Sequence, residues 1–311
     1  MNKKKKKYIS NGKEKNISLG LCILFFERVE QTIECIKSFL SSNVNIYILN
    51  NGSSDKSRKE LDTFCKKYKQ VFFFDIDKNI GIAAGRNYLT THTVEEWLLF
   101  VDNDIKIKTK NWLKKFKFQV SLHKDIEVFI PRLYNKRNRS YATKKTIKLE
   151  GNRATLDTCE ILESKTNCFP GGASFVNRKL FERLGLYDTQ MFVGLEDYEL
   201  SIRGILQRKP VKAQIIQDIV LIHNHQLLKK KEDRDAISIR YNIDHIRKSL
   251  NRIVEKHNVL LEGDWILSSY RAKDRLLYKS KESLKYRLKK RIPGKVKNLI
   301  KKVFLINIKN H

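Results

Sequence analysis

The sequence predicts an α/β fold: a mostly parallel, twisted central sheet flanked by helices, followed by a basic helical extension. Three observations carry this expectation. Short apolar runs alternate with stretches of helical spacing through the first 130 residues, the pattern of strand, helix and parallel strand joined by right-handed crossovers. Trp97-Leu98-Leu99-Phe100-Val101 is an unbroken apolar run, as a strand buried on both faces requires. With 311 residues, 41% of them hydrophobic, the chain can bury a sizeable core.

Taken in order, residues 17–26 read as the first strand, and Val29, Ile33, Ile36 and Leu40 then fall at helical spacing. Residues 44–49 give a second strand that ends at Asn50-Asn51-Gly52-Ser53-Ser54-Asp55. A helix follows with Leu61, Phe64, Cys65 and Tyr68 on one face, and Ser54 or Asp55 able to cap its open N–H groups. Residues 71–74 are a third strand, the segment from Asn79 to Asn87 opens another helix, and the Trp97 run is the fourth strand. Residues 125–131 read as one more strand. The stretch 132–166 is polar and basic without clear period and is expected to be an insertion or loop. Phe169-Pro170-Gly171-Gly172 then leads into residues 173–184, and Glu196-Asp197-Tyr198 opens a helix with Tyr198, Ile202 and Ile205 on one side. Residues 215–222 give the last strand, ending in His223-Asn224-His225. Ile239, Ile243, Ile246, Leu250 and Ile253 form a stripe that should pack a helix of about residues 233–257 back on the domain.

This divides the chain into a basic tail (1–16), a main domain (17–228) and a C-terminal helical basic extension (229–311). The formal net charge is +30, and it is uneven: residues 1–16 carry seven Lys against one Glu, and residues 271–311 carry fifteen Lys or Arg against Asp274 and Glu282. Basic ends on a less basic body attract a polyanion, an anionic membrane surface or nucleic acid. Val296, Leu299, Ile300, Val303 and Phe304, with lysines around them, have the spacing of a helix lying in a membrane interface; a helix docked on its own domain gives the same pattern. The lysines at 3–7 ahead of an apolar run imitate a secretion signal. Glu27 and Arg28 end that run without a cleavage site, and it is far shorter than the ~20 residues of a membrane span. Five cysteines (Cys22, Cys35, Cys65, Cys159, Cys168) show no metal-ligand spacing and read as buried, reduced thiols of a cytosolic protein.

The chemistry is expected where the fourth strand stops at Asp102-Asn103-Asp104. A parallel strand delivers such residues to the carboxyl edge of the sheet, where open α/β sheets bind ligands. Two hard oxygen ligands one residue apart suit Mg²⁺ or Mn²⁺ bridging a diphosphate. In the segment from Asn79 to Asn87 the small residues Gly81, Ala83, Ala84 and Gly85 let a helix start lie close to a nucleotide, and Arg86 offers a fixed cation for the diphosphate.

Asn51-Gly52-Ser53-Ser54-Asp55, the Gly81 to Asn87 segment, Asp102-Asn103-Asp104, Gly171-Gly172 and Leu195-Glu196-Asp197-Tyr198-Glu199-Leu200 together resemble the ordered motifs of family 2 glycosyltransferases with a GT-A fold. The resemblance covers about residues 17–225, and its specificity lies in the order and spacing of the five motifs. It implies transfer of a sugar from a nucleoside-diphosphate donor to an acceptor hydroxyl, with inversion. It further implies that Asn50, Asn51, Gly52 and Asp55 surround the base and ribose, with Asn50 standing where the family commonly has Asp. Asn79, Gly81, Arg86 and Asn87 would line the nucleotide, and Asp102 and Asp104 would hold Mn²⁺ or Mg²⁺. Asn103 would lie near the ribose or sugar, and His223 would be a third metal ligand with His225 as its substitute. Gly171 and Gly172 would let donor and acceptor approach the backbone. Displacement at the anomeric carbon needs a base on the acceptor hydroxyl; Asp197 is the candidate, with Glu196 orienting the acceptor or supporting the base.

The expected partners are a nucleoside-diphosphate sugar, a glycan or lipid-linked acceptor of envelope polysaccharide, lipopolysaccharide or capsule synthesis, and an anionic membrane surface, with the chain peripheral on the inner face of the cell membrane. A nucleic-acid-binding role has no recognisable motif beside the charge, and the basic ends lack interleaved aromatics. A sugar nucleotidyltransferase would carry a glycine-rich, lysine-bearing loop after the first strand, where this chain has Phe25-Phe26-Glu27-Arg28.

Overall fold

A computed structural model describes residues 17–159, 164–224, 239–240 and 242–263. The tail 1–16, His225 and the C-terminal segment from residue 264, including the expected interfacial helix, lie outside the described residues.

The first half is built as the periodicity requires. Strands β1 (Leu19–Phe25), β2 (Asn45–Asn51), β3 (Val71–Ile76) and β4 (Trp97–Asp102) are connected by helices α1 (Val29–Phe39), α2 (Asp55–Cys65) and α3 (Ile82–Thr91). All four strands are parallel, in the spatial order β3-β2-β1-β4. Alternate residues of β1 and β4 feed two cores. Leu21, Ile23, Trp97, Leu99 and Val101 pack on one face, and Cys22, Leu98 and Phe100 on the other. Helices cover both faces, which is why neither strand alternates with polar residues. The same burial accounts for the thiols: Cys22, Cys35, Cys65 and Cys168 are free and buried, as expected, while Cys159 falls where only the backbone is described.

Beyond β4 the sheet is mixed, not mostly parallel. The chain continues through β5 (Ile105–Ile107), α4 (Trp112–Leu122) and β6 (Val128–Asn135), then β7 (Ser140–Tyr141), β8 (Lys144–Glu150), β9 (Arg153–Cys159) and β10 (Lys165–Thr166). It returns through β11 (Ala173–Asn177), α5 (Arg178–Leu184), α6 (Glu196–Ile205), β12 (Ala213–His223), α7 (Ile243–His257) and β13 (Leu260–Glu262). Strand β11 runs antiparallel to both β4 and β6. The reason is local: the Gly171-Gly172 turn sits at the carboxyl edge of β4, with Gly172 O accepting from Asp102 N at 3.0 Å, so the strand leaving it must run back. The stretch 132–166, expected to be an insertion or loop, is mostly strand among its described residues. Strands β8 and β9 form an antiparallel hairpin that β13 extends into a separate sheet. This sheet buries few side chains fully, Ile147, Ala154 and Leu261 among them, so it leaves little apolar signal in the sequence.

Helix α7 packs back through part of its stripe: Ile246 and Ile253 join Ile147, Ala154, Tyr198 and Ile202 in a third core with Leu250 against it, whereas Ile243 at the first turn is exposed. Polar residues interrupt β12 where its register against β6 shifts, between Ile216 and Val220. The strand recovers to end at His223.

Candidate active site

Three strand ends meet at the carboxyl edge of the sheet. Phe25 pairs with Asn50, and Leu24 pairs with Asp102. Strand β5 brings the chain back antiparallel to β12, pairing Ile105 with His223, so that Asp104 stands beside the imidazole. His223 Nε2 lies 3.0 Å from Asp104 Oδ1, and ligand atoms of Asp102, Asp104 and His223 all fall within 4.8 Å of one another. The three expected metal ligands are thus brought together.

Asp104 is buried and its second oxygen, Oδ2, accepts from Arg28 Nη1 at 3.0 Å. Burial alone would raise its pKa, but the hydrogen bond and charge of His223 and the charge of Arg28 outweigh it and hold the carboxyl far below the usual range. The site therefore keeps an ionised oxygen beside an imidazole and a second, partly exposed carboxylate, a donor set that fits a hard or borderline divalent cation such as Mg²⁺ or Mn²⁺.

Arg86, on α3, spans the space between this cluster and α6. Its Nη1 lies 2.7 Å from Glu196 Oε1, and its Nη2 lies 3.7 Å from Asp102 Oδ1. Burial would lower the Arg86 pKa, yet Glu196, Tyr187 and Asp102 raise it, so the cation is permanent. Burial and the neighbouring Asp197 push Glu196 upward against the pull of Arg86. Asp197, next along α6, accepts from Gly171 N at 3.2 Å and from Tyr198 N at 3.0 Å. The Gly171-Gly172 turn fills the remaining gap. A Cβ on Gly171 would sit 2.1 Å from Arg86 Nη1, and one on Gly172 would sit 2.4 Å from the Asp102 carboxyl. Only glycines let the turn seat the Asp102 carboxylate and the Arg86 guanidinium against the main chain.

A cleft opens over Asp102, Asp104, Arg28 and Arg86, whereas His223, Glu196, Asp197 and the Gly171-Gly172 turn stand behind its wall and do not line it. Leu24, Phe26, Asn51, Asn79, Ile82 and Arg86 line it together with Asp102, Asn103 and Asp104. Several of the expected residues also hold the surrounding main chain together. Asn51 accepts from Ile80 N at 2.9 Å and donates to Asn79 Oδ1 and Gly81 O, tying β2 to the start of α3. Gly81 caps α3 with φ 87°, and its neighbour Ile82 donates to Phe192 O at 2.7 Å. Gly52 N donates to Ile76 O at 3.0 Å. Asn87 clasps the backbone of Tyr187 through both ends of its amide and does not line the cleft. Asn50 is buried and holds Asp75 and Ser53 N, and Asp55 is paired with Arg58 at the start of α2. Asn103 donates to Thr32 Oγ1 at 3.0 Å from the cleft wall.

Glu27 and Arg28 take part in the site without having been expected there. Both adopt left-handed backbone, φ 55° and 62°, a conformation that costs a non-glycine residue roughly 1–3 kcal/mol and clusters at functional sites. Glu27 accepts from the N–H of Ser54, the N-cap of α2, while Arg28 turns its guanidinium onto Asp104. The visible signal was two charges directly after a buried strand.

Residues 21–185 match the family described as Glycosyl transferase family 2. The chain is a family 2 glycosyltransferase. The transferase is also 34% identical over 79 residues to a teichoic acid poly(glycerol phosphate) polymerase of Staphylococcus epidermidis, a stretch that covers 25% of this chain and 11% of the polymerase. Its fold is that of solved GT-A structures. GalNAc-T7 with UDP, GalNAc and Mn²⁺ superposes with a TM-score of 0.56 at 15% identity, covering 83% of this chain and 57% of the other. S. aureus TarS 1-349 in complex with UDP-GlcNAc gives 0.53 at 13% identity, covering 83% and 72%. Among the described residues of the transferase, no helix is long and apolar enough to cross a membrane.

Proposed function

We propose that this glycosyltransferase moves a hexosyl unit from a nucleoside-diphosphate sugar to an acceptor hydroxyl with inversion, in the assembly of an envelope glycan. The observation that carries the reading is the convergence of Asp102, Asp104 and His223 within 4.8 Å of one another beside a cleft that Asp102, Asp104 and Arg86 line, with Arg86 and the Gly171-Gly172 turn joining them to Asp197. Asp102, Asp104 and His223 would hold Mn²⁺ or Mg²⁺, which when bound offsets charge growing on the departing diphosphate.

The chain's own groups supply the rest. Arg28 and His223 keep Asp104 ionised and fixed, so no reorganisation is needed when the donor arrives. Arg86 adds a permanent cation at the same lip. Asp197, its carboxylate steered by two backbone N–H groups, takes the proton from the acceptor oxygen as the new bond forms on the face opposite the leaving group. Glu196, locked by Arg86, holds the start of α6 in place. We assign the acceptor as a glycan or lipid-linked glycan reached at the inner face of the cell membrane, on the strength of the basic ends in the sequence; recovery in the soluble fraction whatever the salt would remove the membrane part.

The test is a screen of nucleotide sugars for Mn²⁺-dependent hydrolysis or thermal stabilisation, with Asp104→Ala and Asp102→Asn as controls. A donor that responds with the parent and with neither variant supports the reading. Equal responses from parent and variants to every donor would remove the metal assignment.

A further inference from the structure

From Arg132 to Lys148 the chain has seven cations and no acid, and the fold ties the two ends of this strip to the two sides of the candidate site. At one end Asn135 pairs with His223 in the β6–β12 ladder, and Lys136 N donates to His223 O at 3.1 Å. At the other end Lys145 Nζ donates to the hydroxyl of Tyr198 at 2.7 Å, and Tyr198 follows Asp197 on α6. The strip therefore runs from the strand of the candidate metal ligand to the helix of the candidate base.

Its surface is both cationic and aromatic. The Arg132 guanidinium lies 3.6 Å from the Tyr141 ring centroid, and the Tyr134 and Tyr141 rings are 5.3 Å apart. Lys136, Arg137 and Arg139 are exposed, and among the described residues no carboxylate pairs with them. Such cations hold phosphate oxygens through charge-assisted hydrogen bonds, while ring faces offer apolar surface to a carbon skeleton. A bilayer would ask for large aliphatic groups to insert, whereas the large exposed hydrophobic on this strip is Tyr141.

We propose that this strip is the acceptor shelf, and that the acceptor is a polyanionic glycan whose repeats carry phosphodiester groups. The assignment rests on the transferase reading above and narrows its acceptor class. The growing chain would lie along Arg132, Lys136, Arg137 and Arg139 with its terminal hydroxyl directed between His223 and Asp197.

Binding by the full chain is measured for four probes: a poly(glycerol phosphate) oligomer, a neutral dextran of equal length, single-stranded DNA, and phosphatidylglycerol vesicles. The parent is compared with the exposed triple variant Lys136→Ala, Arg137→Ala, Arg139→Ala, and with a triple of equal charge on α4 and the residues just before it, Lys110→Ala, Lys114→Ala, Lys117→Ala. The parent is expected to prefer the phosphodiester oligomer over dextran by about tenfold or more at low salt, and only the shelf triple should lose about that factor. Nucleotide-sugar binding should be the same in all three proteins. Equal loss in both triples would reduce the effect to bulk charge and overturn the shelf, as would indifference between oligomer and dextran. A shelf triple that loses only DNA or vesicle binding would reassign the strip and overturn the proposal. Absence of nucleotide-sugar binding in the parent would strike the transferase reading itself, whereas intact donor binding with indifferent glycan binding strikes the acceptor assignment alone.

Discussion

Arg86 Nη1 and Glu196 Oε1 are 2.7 Å apart, both side chains are buried, and the pair links α3 to the first turn of α6. Because Arg86 also reaches toward Asp102, one guanidinium fixes the spacing between the lip of β4 and the helix that carries Asp197. Removing one partner of a buried pair leaves an uncompensated charge, which costs about 3–5 kcal/mol. Arg86→Met is therefore expected to lower the urea midpoint strongly. Arg86→Lys should fold better but still transfer poorly, since one ammonium cannot serve both carboxylates. A urea midpoint unchanged in Arg86→Met would show that the pair does not hold α6.

Gly172→Ala separates site geometry from stability. Its methyl would fall 2.4–2.5 Å from the Asp102 carboxyl atoms. That carboxylate is 31% exposed, so it can swing outward instead of unfolding the turn. The expected outcome is a near-parental urea midpoint with loss of the Mn²⁺-dependent donor response. Retention of that response would mean that Asp102 need not stand where the turn puts it.

How much of this site could be read beforehand depended on whether position followed from local pattern. Asp102 and Asp104 were legible because an unbroken apolar strand dictates where its end lies, and His223 because it too closes a strand. The mixed half of the sheet was not legible, since the reversal at Gly171-Gly172 depends on a turn that any pair of glycines could make. Nor was the engagement of Asn50 with Asp75, which arises from the β2–β3 register. Arg28 reaches Asp104 only because its backbone is left-handed, a state that its residue type does not announce.

Asp197→Asn tests the base. The carboxylate accepts from Gly171 N and Tyr198 N with separate oxygens, and an amide has a single acceptor oxygen, so one of these bonds is lost along with the basicity. Donor affinity should stay within about twofold while turnover falls by roughly 10²–10⁴. Titration of nucleotide binding beside a transfer assay distinguishes the two, and undiminished turnover would remove Asp197 from the mechanism.

Burial pushes the Cys65 and Cys168 thiols up to about 12, and it pushes Cys22 and Cys35 still higher. Thiolate is the reactive form, so these four cysteines should resist maleimide at neutral pH and label together only on unfolding. Peptide mapping after a native pulse reads this directly. Rapid modification of Cys35 would contradict its burial beneath the Asp102 carbonyl.

The last expectation concerns acid. Glu199 is fully buried on α6, and its carboxylate meets His257 Nε2 at 2.8 Å and Lys256 Nζ at 3.0 Å from α7, besides Arg203 at 2.7 Å. Burial alone would raise its pKa, but the His257 hydrogen bond and the Arg203 charge outweigh this and hold it below the ordinary carboxylate value. A group whose folded pKa is depressed binds its proton more weakly in the folded state. Its stabilisation is complete above the unfolded value, about 4.3 for Glu, and is lost as pH falls through the lower folded one. Urea midpoints of the parent should therefore drop as pH falls from about 5 toward 3. Glu199→Gln should start lower at neutral pH, because Arg203, Lys256 and His257 lose their shared carboxylate, and should show a shallower acid limb. Parallel limbs for the two proteins would place the acid sensitivity in other carboxylates and leave α7 docked by its apolar stripe alone.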